Sequence, residues 1–596
     1  MLGQRGPQWG LFEADTGYAD FVGRGTFYGF LASQRGQLFR DEDFAGLYCR
    51  YNGRPSVPPS LLATALVLQT YDGVSDDEAK RRADYDLQWK VALGVELDAR
   101  PFAKSTLQEF RAQLVVHDQQ RAIFQRSLEL AKRQGKFRGR QLKVALDTTN
   151  ILGRGAVKDT YNLLADGIVL LARALAKQAG QSLAGWAERQ GYRRYVGGPS
   201  LKGSAEIDWS EPEQRRRLLG EVVADAERLL ELGRQARGTI EADSVAERAL
   251  TEAAGLLSRV LVQDLERRED GPVLKDGVAP DRLVSVHDPE QRHGRKSKSK
   301  RFDGHKLQLA TDADSQLITA VEVMPGNAAD AERALAVVEQ SEAASGCAVE
   351  TSLGDCAYGG GVTRQAFADA GRTLVAKVPS ASNRGCFPKT AFTIDLEVLS
   401  CSCPAGQTTG ALQPLKGGGG QFQFAAAVCA ACPVRAECVR GRGGRSVQLH
   451  PQERLLQQAR ELQASPGFRE YRTRRQVVEH RIARLVQLGL RQARYVGLAK
   501  TLFQACMAAA VANLTLLASE PATAAQSGAL FAVSLALVWA VLGRAERPGA
   551  PNRGASREAG RTRTAPTSRL WSPPFTGWQL GPSAYQFKQA ASRPGL

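Results

Sequence analysis

The sequence predicts a mixed α/β fold behind a helical N-terminal region, and three features predict it. Between Gln141 and Val378, short apolar runs bounded by turn residues alternate with helical stretches, the pattern of strands and helices sharing one core. Residues 15–135 read as a helical domain, with apolar residues at helical spacing and Pro or capping residues at segment starts. A Cys- and Gly-rich insert, 380–445, breaks the order before helices resume over 446–518.

Each element has its own signal. Pro58 and Pro59 open a strongly apolar helix that begins Ser60-Leu-Leu-Ala. Asp76 or Asp77 is placed to cap the next helix, and Ser105 a further one, in which Leu107, Phe110 and Leu114 share a face and Arg111 points outward. Short helices with tight turns and basic outer faces suit a DNA reader of the helix-turn-helix kind, and an ordinary helical bundle equally well. Residues 143–147 read as a strand ending in an acid, and a charged helical insert follows over about 160–280. Two strands, 306–311 and 317–324, are joined by the turn Asp312-Ala-Asp-Ser-Gln316. A helix led in by Asn327 and running through Val338, a strand at 348–353, a helix at 362–370 and a strand at 374–378 complete the region 141–379. Past Ser519 the chain turns to Ala, Pro, Gly, Ser and Arg, so 519–596 is expected to be a low-complexity tail, disordered beyond about 544.

Lys and Arg number 79 against 62 Asp and Glu, a formal net charge of +17. That balance favours a polyanionic partner, nucleic acid before acidic membrane. The first ten residues hold no apolar signal core. The longest apolar run, 529–542, falls short of the roughly 18–20 residues that span a bilayer. The expectation is a cytoplasmic protein with no membrane partner. Ten Cys in a chain this long make no disulfide scaffold, and their clustering points to metal.

Three acids carry the chemistry. Asp147 and Asp355 each close a predicted strand, where side chains project from a sheet edge that builds sites. Glu479 lies in the helical run Tyr471-Arg-Thr-Arg-Arg-Gln-Val-Val-Glu479-His480. Carboxylates gathered on one edge repel unless cations join them, and hard oxygen ligands suit Mg²⁺ or Mn²⁺. Taken singly, each acid also has an ordinary use: a strand-terminal Asp forms turns or caps, and Glu479 stands four residues after Arg475, the spacing of a helix-surface ion pair.

Order and surrounding residues add to this. The sequence resembles bacterial insertion-sequence transposases of the DDE class over roughly residues 40–515. Four stretches carry the likeness: Val57-Pro-Pro-Ser-Leu-Leu through Phe102-Ala-Lys-Ser-Thr-Leu; Leu146-Asp147-Thr-Thr-Asn through Lys158-Asp159-Thr; Phe302-Asp-Gly-His305-Lys306 with Asn327, Asp330 and Gly354-Asp355-Cys-Ala-Tyr358-Gly; and Tyr471 through Lys500. Tyr471 lies one residue too far from Arg475 for the family pattern, and Val486 stands where a Lys is usual, so Glu470 is the alternative third acid. The resemblance implies an RNase H-like catalytic core that binds Mg²⁺ through Asp147, Asp355 and Glu479. It implies cleavage at the ends of the insertion element, then attack of the freed 3′-hydroxyl on target DNA, by a homodimer holding two ends. The alternatives are a nuclease of the same fold without strand transfer, and a decayed DNA-binding protein, against which the three intact acids argue.

Two further clusters complete the reading. Cys429 and Cys432 form a Cys-x-x-Cys, and with Cys403 and Cys438 they supply four ligands for a structural Zn²⁺, Cys401 being a substitute for Cys403. The other reading is free thiols in a loop. Cys49, Cys347, Cys356, Cys386 and Cys506 are expected to pack as small hydrophobes. The run Arg292-His-Gly-Arg295-Lys296-Ser-Lys298-Ser-Lys300-Arg301 reads as a basic loop able to neutralise several phosphates, or simply as a solvated one. His305, Lys306, Arg475 and His480 are further candidates for contact with DNA.

Overall fold

The computed structural model describes all residues except 6–13, 50–52, 199, 298, 381–382, 384 and 520–596. The expected low-complexity tail and its apolar run therefore lie outside the described residues.

Pro and capping side chains start the N-terminal helices: α1 (Phe27–Leu38), α2 (Pro59–Asp72), α3 (Asp76–Tyr85), α4 (Leu87–Leu93), α5 (Lys104–Val116) and α6 (Ala122–Arg133). Pro59 opens α2, where a missing N–H costs nothing, and Gly73 ends it at φ 67°. The cap of α3 is Ser75, which accepts a bond from the Glu78 N–H at 3.2 Å; Asp76 and Asp77 sit in the first turn, where acids suit the positive helix end. Ala103 precedes α5, so Ser105 is inside the helix rather than its cap. Arg111 does not point to solvent. Its guanidinium is held by Asp76 at 2.7 Å and by the Gln69 side-chain Oε1 at 3.0 Å.

The expected α/β pattern forms one six-stranded mixed sheet from β1 (Leu142–Leu152), β2 (Arg292–Arg295), β3 (Arg301–Asp312), β4 (Ile318–Pro325), β5 (Val349–Leu353) and β6 (Thr373–Val375). β3 runs antiparallel to β1, with Asp147 opposite Leu309, and β4 antiparallel to β3. β2 pairs with the first residues of β3 as a hairpin. On the other side β5 lies parallel to β1, with Ala145 beside Leu353, and β6 parallel to β5. The Asp312 carboxylate accepts the Ser315 N–H at 2.9 Å, which explains the tight β3–β4 turn. The basic segment is half strand, contrary to the loop reading, because Arg292–Arg295 joins the ladder of β3.

Between β1 and β2 stand α7 (Thr160–Gln178), α8 (Pro212–Arg237) and α9 (Val245–Asp264), which bury their own cluster of Leu163, Ile168, Leu171, Val222, Leu229 and Leu257. The Cys-rich segment also has its own small core, around Phe392, Cys401, Phe422 and Val447, beneath two three-stranded sheets. Most of the N-terminal helices' apolar residues join the core of the sheet, in a cluster that runs from Phe27 and Trp89 through β1, β3 and β4 to Leu517, while Val22 and Val91 form a small cluster of their own.

The C-terminal helices are α10 (Glu453–Ala464), α11 (Phe468–Leu485) and α12 (Leu498–Ser519). α12 is long and apolar enough to cross a membrane by length and composition, but most of it is buried, against β4, α6 and α2. Asn513, fully buried, ties α12 to β4: its Nδ2 donates to the Ile318 carbonyl at 2.8 Å and its Oδ1 accepts the Ile318 N–H at 2.9 Å. Asn513→Leu leaves both backbone groups without this partner. It is expected to destabilise the fold by about 2–4 kcal/mol, read as a lower denaturation midpoint.

Candidate active site

Asp147 sits in the middle of β1, not at its end as expected, because the ladder with β3 carries the strand on to Leu152. Its Oδ1 accepts the Thr148 N–H at 2.7 Å. Asp355 follows β5, two residues beyond the Leu353 that pairs with Ala145, so the parallel register sets Asp355 level with Asp147. Asp355 caps the turn Cys356–Tyr358, its Oδ1 accepting the Ala357 N–H at 2.9 Å. Gly354 is required here: a Cβ at this position would stand 2.6 Å from the Tyr358 Cβ.

Glu479 lies on α11, which packs across β1, β3 and β5. Arg475, one turn earlier, reaches the Asp147 Oδ2 at 3.3 Å and also bonds Glu479. The Asp147 carboxyl is pushed up from 3.8 to about 6. Burial is the largest cause; Arg475 opposes it, and Asp355 and Glu479 add to it. The three acids therefore lie within one electrostatic neighbourhood. Without a bound cation, Asp147 takes up a proton on folding. Its contribution to stability is fully present below about pH 4 and is lost as pH rises through about 6.

Tyr358 carries no role in the sequence reading. The structure buries it fully behind the acids, its hydroxyl accepting from Gln308 Nε2 at 3.2 Å. Burial, then the charge of Asp147, push this phenol well above its ordinary range. Glu470, the alternative third acid, instead pairs with Arg474 at 3.0 Å, and Arg474 reaches Asp314 in the β3–β4 turn at 2.8 Å.

The basic candidates separate into two groups. Arg295, Lys296, Lys300 and Arg301 are exposed on the β2–β3 hairpin, and among the described residues no carboxylate pairs with them. Lys298 lies outside the described residues. His305 is 0% exposed, which corrects its assignment as a contact to DNA. Lys306 is also committed internally, its Nζ donating at 2.7 Å to Asp330 and at 2.7 Å to the Ala328 carbonyl. Arg475 is committed to the two acids rather than standing free, while His480 is exposed.

Cys403, Cys429, Cys432 and Cys438 line one cavity of about 20 Å³, the size of a single ion or water. Burial pushes the Cys438 thiol up, with Arg445 opposing and the other three thiols adding. Cys401 is instead buried in the small core, its thiol pushed up to about 11 by burial. Cys506 packs in the main core as expected, whereas Cys49 and Cys356 are exposed. Among the described residues, no three His, Cys, Asp or Glu side chains stand close enough together to hold a metal ion.

Residues 21–113 match the transposase domain family DUF772, and residues 402–518 match the transposase DDE domain family. Both matched families are transposase families, and together they support an insertion-sequence DDE transposase. The second match contains Glu479 and the four Cys of the small cavity; Asp147 and Asp355 lie outside both. No curated protein and no solved structure matches the chain.

Proposed function

We propose that this transposase binds the ends of its own insertion element and performs DNA cleavage and strand transfer on an RNase H-like core. The observation that carries the reading is geometric: the parallel register sets Asp355 level with Asp147, and Arg475 on α11 bonds both Asp147 and Glu479. The sheet supports it: three antiparallel strands, β4-β3-β1, are followed by β5 and β6 running parallel to β1, the arrangement this reading calls for.

By donor chemistry the set suits Mg²⁺ or Mn²⁺: three hard carboxylates, two of them bonded by Arg475. The carboxylates would have to close around the ion, since as they stand no three are near enough to share one. Asp147, Asp355 and Glu479 would hold the metal, which supplies charge neutralisation at the attacking and leaving phosphate oxygens. Arg475 spaces Asp147 and Glu479 and limits their repulsion. Tyr358 and Gln308 pack the back of the site. The exposed hairpin offers Arg295, Lys296, Lys300 and Arg301 to the DNA backbone and so positions the scissile phosphate. The reaction is hydrolysis of a phosphodiester followed by transesterification from the freed 3′-hydroxyl, with no covalent protein intermediate. Two ends must be held together, so the working form is a homodimer on DNA, in the cytoplasm. Strand transfer from a pre-cut end tests this reading: joined product is expected, and hydrolysis alone would leave a nuclease.

Because a proton competes with metal for Asp147, Mn²⁺ affinity is expected to fall as pH drops below about 6, approaching tenfold per unit. Calorimetric titration at pH 5, 6 and 7 checks this; a flat profile contradicts it.

The four Cys suit Zn²⁺ by donor chemistry; the thiols that line this cavity would have to draw together to hold it, and the metal would contribute structure rather than catalysis. Cys432→Ser is expected to lower bound zinc by one equivalent in elemental analysis. An unchanged content would leave these residues as free thiols.

A further inference from the structure

Where the helical insert returns to the sheet, the chain buries a set of polar atoms that bond to nothing around them. Asp288 and His305 are both 0% exposed. Neither oxygen of Asp288 and neither ring nitrogen of His305 has a hydrogen-bond partner among the described residues, and the same is true of Ser285 Oγ and Gln291 Oε1. These side chains gather on the backbone that leaves β1. A Cβ on Gly155 would meet the Asp288 Cβ at 2.7 Å and Ser285 Oγ at 2.8 Å; one on Gly153 would meet Gln291 Oε1 at 2.0 Å. Gly155 thus leaves no room for a side chain, and one on Gly153 would displace Gln291. The neighbouring Arg292 does not neutralise Asp288, because it is committed to Asp281 and to the carbonyls of Pro289 and Gln291.

A buried carboxylate with no donor is costly, and buried polar groups are normally satisfied by protein, water or an ion. This set is rich in acceptors: two carboxylate oxygens beside an imidazole, with a hydroxyl and an amide oxygen against the same stretch of chain that leaves β1. His305 Nε2 and Asp288 Oδ2 are 3.6 Å apart. That is longer than a hydrogen bond, but near the roughly 3.4 Å between two ligands on one tetrahedral ion with bonds of about 2.1 Å. We propose that Asp288 and His305 bind a divalent cation at the root of the basic hairpin, with Ser285 and Gln291 as neighbouring oxygen donors. One nitrogen with several oxygens suits Zn²⁺, Co²⁺ or Mn²⁺ better than Mg²⁺. The site is separate from the three acids and from the Cys cavity. Residues 288–291 lead directly into β2, so the ion pins the hairpin that carries Arg295, Lys296, Lys300 and Arg301 to the ends of β1 and β3.

Co²⁺ binding to the full chain tests the proposal. In a variant with both other candidate sites removed (Asp147→Asn, Asp355→Asn, Cys429→Ser, Cys432→Ser), one equivalent of Co²⁺ is expected to remain, with visible d–d bands and no sulfur-to-cobalt charge transfer. Absence of that equivalent from the folded variant overturns the proposal and leaves a water-filled or simply ion-paired pocket. In the otherwise natural chain, His305→Gln and Asp288→Asn are each expected to lower bound Co²⁺ by one equivalent. Unchanged content in either overturns it as well.

Discussion

Asp355→Asn is expected to fold normally and to lose cleavage of DNA carrying the element's ends by on the order of 10³-fold or more. The fold survives because Asn keeps an Oδ1 able to accept the Ala357 N–H, which is the local structural task of Asp355. Activity is lost because the amide surrenders a negative charge at the point where the parallel register sets this residue level with Asp147. Removing that charge also relieves one of the influences that raise the Asp147 carboxyl, so Asp147 should titrate lower in the variant. NMR titration of that carboxyl, beside a cleavage assay and a thermal melt, checks all three parts. Cleavage that persists at the natural rate would place the active site around other residues.

The second large effect concerns the hairpin. Replacing Arg295, Lys296, Lys300 and Arg301 together by Gln is expected to weaken binding to every DNA sequence alike. The slope of log affinity against log salt should fall by about 3–4, near 0.9 for each phosphate that is no longer neutralised. Because the four side chains are exposed and unpaired by carboxylates among the described residues, the melting temperature should hardly move. An unchanged salt slope would make the hairpin a solvated feature with no part in binding DNA.

The strands are legible where apolar runs meet clear turns: 348–353 before Gly354-Asp355, and 317–324 after the Asp312 turn, both lie within a residue or so of the observed elements. β1 reads short, because Asp147-Thr-Thr-Asn looks like a polar turn when the partner strand is not in view; the ladder with β3 supplies the pairing that keeps these residues extended. The same blindness to partners makes Arg111 look outward-facing, although Asp76 and Gln69 draw it in. His305 and Lys306 look like free cations beside a basic run, and only the tertiary structure shows one buried against Asp288 and the other held by Asp330. The strands of the Cys-rich segment are two to four residues long, too short for any periodicity to register. The three acids are legible as a family pattern. Their shared neighbourhood is not, since it depends on strand register and on the packing of α11 across the sheet.

The most direct test of the central claim is one cleavage assay on DNA bearing the element's ends, run in Mg²⁺ and in EDTA, with the natural chain and with Asp147→Asn, Asp355→Asn and Glu479→Gln in parallel. The account predicts cutting by the natural chain in Mg²⁺ only, and comparable, near-complete loss in all three variants, because the acids act as one unit. Glu479→Gln cutting at the natural rate, or cutting that survives EDTA, would contradict it.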